Sequence, residues 1–97
     1  MSPRIEKLQD AVQIMHHCKA VHAASVPIRE IFKQQVAWEG VVEVFSITGH
    51  PSAKRCYAWI TQGEKGDFFT TVLEIPPVVS PNTAVRASIA AEAKGGG

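Results

Sequence analysis

The sequence predicts an α+β fold, in which an N-terminal helix packs on a curved antiparallel β-meander of four to five strands. Three observations predict it. Apolar residues near the start recur at helical spacing, the texture from Ala20 onward is β-branched and aromatic, and turn signals then recur at strand spacing.

The helix is read from Ile5, Leu8, Val12 and Met15, with Ala11, at three- and four-residue intervals. Ser2 suits the N-cap and Pro3 the first helical position. Glu6, Asp10 and Gln13 fall on the other face, Ile14 sits off the stripe, and the helix is expected to end near His17 or Cys18. Five strands follow: Ala20 to Phe32, Val36 to Ile47, Lys54 to Thr61, Phe68 to Ile75 and Thr83 to Ala90. The breaks are Lys33-Gln34-Gln35, Thr48-Gly49-His50-Pro51, the segment Gln62 to Asp67, and Pro76-Pro77 through Asn82.

Two segments admit a second reading. Ser25 to Val36 also fits a helix, but Pro27 breaks its only long version, and the strand from Val36 needs a neighbour. The last segment could be a helix, with Ser80 capping, Pro81 in the first turn and an alanine-rich body. The alternation of Thr83, Val85, Ala87 and Ile89 favours a strand.

The chain of 97 residues is the size of one domain, taken as residues 1–94 with a flexible tail at 95–97. Hydrophobic residues make up 45% and charged ones 20%, a balance that implies a folded core. The net charge is +1 and the basic residues are scattered, which argues against nucleic acid as a partner. No segment resembles a secretory signal or a membrane span, so no membrane partner is expected. Two cysteines are too few for a disulfide framework, and a reduced cytoplasmic setting is the simplest expectation.

Aligning the hairpins by their turns sets Thr61 opposite Phe68 and Ile47 opposite Lys54. One face then carries Val41, Phe45, Ile47, Cys56, Ala58, Ile60, Phe69, Leu73 and Ile75, and is assigned to the core under the helix. The other carries Val42, Val44, Tyr57, Trp59 and Val72, edged by Arg55, Thr70 and Glu74, with Trp38 nearby. A sheet face open to water is normally polar. One helix cannot cover both faces, so this second face is expected to meet a partner: first a second copy of the chain in a homodimer, otherwise a small apolar or aromatic ligand.

Candidate chemistry is sparse. His16, His17, Cys18 and His22 are the densest set of possible metal ligands, but adjacent helical residues point about 100° apart and do not converge. Cys56 reads as a buried thiol rather than a nucleophile. Glu43 is the anomaly, because its parity places a carboxylate on the core face. A pocket mouth, a bulge at Gly40 that changes the phase, or a partner such as a helix histidine would account for it. His50 lies in a turn, and Arg55 with Glu74 forms a cross-strand ion pair. No phosphate loop, dinucleotide fingerprint or nucleophile elbow occurs, and no cofactor is expected.

The segments Val41-Val42-Glu43-Val44-Phe45, Gly49-His50-Pro51, Lys54 to Trp59 and Val72 to Pro77 together resemble a group of small bacterial proteins that carry no assigned function. The resemblance spans most of the chain after the first helix and implies no activity. The layout is similar to cystatin-like and hot-dog-like folds in architecture only. Two functional expectations follow. One is a non-catalytic binding or interaction module. The other is a small enzyme with a pocket between helix and sheet, using Glu43 with His16, His17, His22 or His50 as acid and base.

Overall fold

The computed structural model describes residues 2–95, with side chains described through residue 91. Helix α1 spans Pro3–His16. Strands β1 Lys19–Phe32, β2 Gln35–Thr48, β3 Arg55–Gly63 and β4 Gly66–Leu73 follow, and helix α2 Pro81–Gly95 closes the chain. The four strands form one antiparallel sheet in the order β1-β2-β3-β4.

Helix α1 starts where the sequence signals it. The Ser2 side chain accepts the Ile5 backbone N–H, and Pro3 fills the first position. It stops at His17, which adopts a left-handed conformation at φ 52° and returns its N–H to the Gln13 carbonyl. Leu8 and Val12 are buried against the sheet, whereas Met15, counted in the apolar stripe, is exposed. Gln9 and Gln13 tie the helix to β1 by bonding the backbone oxygen and nitrogen of Ala20 at 2.6 and 3.1 Å.

The strand reading of Ser25 to Val36 holds, and the β3/β4 register is as expected, with Thr61 opposite Phe68 and Cys56 opposite Leu73. Lys33 and Gln34, at φ 52° and 65°, form a two-residue turn between β1 and β2, with positive φ at both positions.

The final segment is a correction. Thr83 to Ala90 is helix, not strand. Its start is a reciprocal cap: the Ser80 hydroxyl accepts the Thr83 N–H, while the Thr83 hydroxyl accepts the N–H groups of Val79 and Ser80. Pro81 at the first position and alanines in the body favour helix. The apolar alternation was an incomplete view of a helical face on which Ala84 and Val85 are buried and Ile89 is half-buried.

That helix also corrects the account of the second sheet face. Val42, Val44, Tyr57 and Trp59 are buried in one cluster with Ile28, Val78, Ala84 and Val85, so α2 supplies the missing cover. The chain therefore satisfies this face itself. The premise of an open patch awaiting a second copy falls away. The other face forms a cluster of Leu8, Val12, Ala20, Phe45, Ile47, Ala53, Cys56 and Ala58 beneath α1. Phe69 and Ile75, assigned to this core, are instead exposed at 40% and 41%. The 14-residue α1 spans roughly 21 Å, which covers only part of the sheet. Gly95 belongs to α2 rather than to a flexible tail, and Gly96 and Gly97 of that expected tail lie outside the described residues.

The sheet is not uniformly paired. β1 and β2 pair along their whole length, as do β3 and β4 from Cys56 to their turn. Between the hairpins the ladder runs only from Glu43 to Ser46 against Arg55 to Ala58. Beyond Glu43 and Ala58 the two hairpins part.

Candidate functional site

Glu43 lies at the point of parting. It stays on the α1 face, as its parity predicted, and is only 2% exposed. No bulge at Gly40 moves it. The register shifts lie between His22 and Ala24 on β1 and between Glu30 and Ile31, opposite Ala37 of β2. The first shift matters most. Residues three apart on a regular strand face opposite ways. The extra residue Ala23 restores the phase, so His22 and Ser25 both reach Glu43.

The His22 Nε2–H donates to Glu43 Oε1 at 2.8 Å, and the Ser25 hydroxyl donates to the same oxygen. His22 also stands edge-on to Phe45, with ring centroids 5.5 Å apart. Ser25 Oγ approaches the same Nε2 at 3.4 Å. This is not a nucleophile relay. A relay needs the carboxylate on one ring nitrogen and the hydroxyl on the other. Here the proton on Nε2 is committed to Glu43, which leaves that nitrogen no lone pair for Ser25. The remaining oxygen, Oε2, faces Arg4 Nη1 at 3.8 Å, too far for a hydrogen bond. Burying a carboxylate is costly unless it is bonded and neutralised, and these three side chains meet that need.

Arg4 connects this polar knot to the adjoining cleft. The cleft has a volume of about 510 Å³ and opens where the hairpins separate. Arg4 and Lys7 border it from α1, Val41 and Ile60 from the strands, and Trp38 from behind. Trp38 meets Trp59 edge-to-face at 5.6 Å. Its ring also lies so close to Gly40 that an added Cβ would stand 2.9 Å from it. Glycine there permits the indole to lie across the strand. The main chain of β2 at 39–41 and of β3 at 60–62 has no ladder partner across the gap among the described residues.

Of the other candidates, only His22 and Trp38 reach this place. His16 bonds the Thr71 hydroxyl at 2.8 Å, and burial, then the nearby His50 and His17, hold its pKa below the usual histidine value. His17 caps α1, and the Cys18 thiol faces the Val12 carbonyl at 4.0 Å. Among the described residues, no group of three or more His, Cys, Asp or Glu side chains is placed to hold a metal ion. His50 Nδ1 accepts the backbone N–H groups of Ser52 and Ala53, so its role is to shape the turn. Cys56 is fully buried, and burial above all, with Cys18 nearby, pushes its thiol up to about 12, which leaves no thiolate for chemistry near neutrality. Arg55 and Glu74 lie 4.0 Å apart at the sheet edge, where Glu74 also accepts the Tyr57 hydroxyl proton. Thr70 and Val72 are half-buried on the same face.

Sequence reasoning found Glu43 and named His22 only as one of four histidines that could act with it, expecting a helix histidine as its buried partner where the structure supplies His22 of β1. It missed Ser25 because period-two parity puts residues 22 and 25 on opposite faces. It missed Arg4 and Lys7 because the splitting of the sheet leaves no local signal. No family model, curated protein or solved structure matches this chain.

Proposed function

We propose that the chain is a non-catalytic binding module that takes a small, largely apolar or aromatic ligand into the cleft between its two hairpins. The parting of the sheet beyond Glu43 and Ala58 carries this reading. It leaves a concavity of about 510 Å³ walled by Trp38, Val41 and Ile60, within the roughly 300–1,000 Å³ of small-molecule sites. Trp38, Val41 and Ile60 supply the apolar contact, and the polar side chains that make up the rest of the lining, Arg4 and Lys7 among them, supply orientation. Against catalysis stands the geometry of the knot, where carboxylate and hydroxyl share one imidazole nitrogen. The aromatic face that suggested a homodimer is under α2, so recognition moves to the α1 side.

Titration with the neutral fluorophore N-phenyl-1-naphthylamine tests this. Binding should brighten the probe and perturb tryptophan emission. Gln62→Trp, which fills the cleft from an exposed position, should weaken binding at least tenfold while circular dichroism stays unchanged. A second concavity, of about 710 Å³, lies between α2 and the β1/β2 turn and includes Ile31 and Phe32. Phe32→Asp should leave binding intact. Loss with Phe32→Asp and not with Gln62→Trp would move the site to that groove and overturn the reading.

A further inference from the structure

We infer that the ligand of this cleft carries a carboxylate, that Arg4 reads it, and that the buried Glu43 is the positioning residue that holds Arg4 for the task. The inference rests on the cleft being the binding site and adds the ligand's class and the residues that select it.

The argument begins with what Arg4 does not do. Its guanidinium borders the cleft and stands 3.8 Å from Glu43 Oε2. No hydrogen bond of its side chain occurs among the described residues. A guanidinium carries five N–H donors in a planar fork suited to a carboxylate. Here the charge of Glu43 keeps the fork beside the cleft without using up its donors. Glu43 can do this because it is itself fixed. His22 and Ser25 both bond Oε1, and the side chain is 2% exposed, so Oε2 presents a stationary charge. A long exposed arginine otherwise loses considerable rotamer freedom on binding, and holding it in advance reduces that cost.

The charges around the cleft select among anions. Arg4 and Lys7 lie on the α1 side, and no ion pair of Lys7 occurs among the described residues. Glu39 and Asp67 line the strand side, and Glu43 sits behind Arg4. Glu39 is already matched by Arg29 at 3.6 Å. With Glu39 matched, Arg4 and Lys7 face Glu43 and Asp67, a balanced rim with one open fork that takes a single negative charge more readily than the two of a phosphate monoester. The apolar walls then take the body of the ligand. An aromatic or aliphatic monocarboxylate meets all of these conditions.

The experiment compares 2-naphthoate, its neutral isostere 2-naphthamide and 2-naphthyl phosphate by tryptophan quenching. The wild type should prefer naphthoate over naphthamide at least tenfold, and over the phosphate. Arg4→Met should abolish the preference by weakening naphthoate alone. Arg4→Lys should retain only part of it, because a point charge replaces the fork. Glu43→Gln keeps an Oε1 acceptor for His22 and Ser25, and should lower the naphthoate-to-naphthamide ratio several-fold. A ratio unchanged in Arg4→Met, or one that falls further in Lys7→Met, would overturn the assignment to Arg4. A ratio unchanged or raised in Glu43→Gln would overturn the positioning role, and tighter binding of the phosphate would overturn the monoanion class. If neither naphthoate nor naphthamide binds, the cleft is not the site and the proposed function fails with it.

Discussion

The two faces of one sheet are closed in different ways. The α2 face is sealed by an apolar cluster in which Tyr57 and Trp59 are each 2% exposed. The α1 face is sealed only at its inner end, by Leu8 and Val12 on Phe45 and Cys56. Past Glu43 it becomes a polar knot and then a cleft. The difference teaches where binding can arise in a small fold. Strands that outrun their helix, and hairpins that part, leave main chain and side chains available, whereas a face under a fitted helix is consumed by stability.

The sharpest way to break this comparison is Trp59→Ala. If α2 closes a true core, the loss should be about 3–5 kcal/mol in denaturant unfolding. A loss below about 1 kcal/mol, the usual scale of surface changes, would mean that the α2 face is not a packed core.

Alkaline titration probes the same face. Burial first, then the adjacent Glu74, raises the Tyr57 hydroxyl from 10.0 to about 12. On the opposite, α1 face, burial likewise raises Cys56 from 9.0 to about 12. Both folded-state values exceed the unfolded ones, so their stabilising effect is complete below the unfolded pKa and disappears as pH rises to about 12. The chain has one tyrosine, so phenolate absorbance reports this site alone. Ionisation near pH 10 in the folded protein would contradict the burial.

On the α1 face, His22→Ala removes a donor from a buried carboxylate. It should cost roughly 1–3 kcal/mol, with the α2 cluster intact by tryptophan fluorescence. A neutral result would show that Ser25 and Arg4 alone suffice for Glu43. The smallest effect is expected at the β1/β2 turn, far from either core. Replacing Lys33-Gln34 by Asn-Gly suits the positive φ at both positions, and should stabilise by up to about 1 kcal/mol, as relief of the left-handed backbone cost exceeds the entropy the glycine adds. Destabilisation would argue against that turn geometry.

Much of this molecule was legible in the sequence because its signals are local. Ser2-Pro3 and the Leu8/Val12 spacing announce α1, the turns set the β3/β4 register, and parity alone placed Glu43 on the core side. Local evidence misled at Thr83 to Ala90, where four alternating residues outweighed the Ser80-Pro81 cap. The error propagated, because without α2 the Tyr57 and Trp59 face had nothing to cover it.

What the sequence determined by itself, then, is the elements up to β4 and the apolar character of both sheet faces, since period and turn chemistry act over a few residues. Tertiary structure decided the rest. Packing chose α2 as the cover, because Ala84 and Val85 of the helix, with Val78 just before it, join Val42 and Trp59 in one buried cluster. The extra residue Ala23 turned Ser25 toward Glu43, and the short ladder between β2 and β3 opened the cleft beneath Arg4. Those outcomes depend on contacts between residues far apart in the chain, which no local pattern encodes.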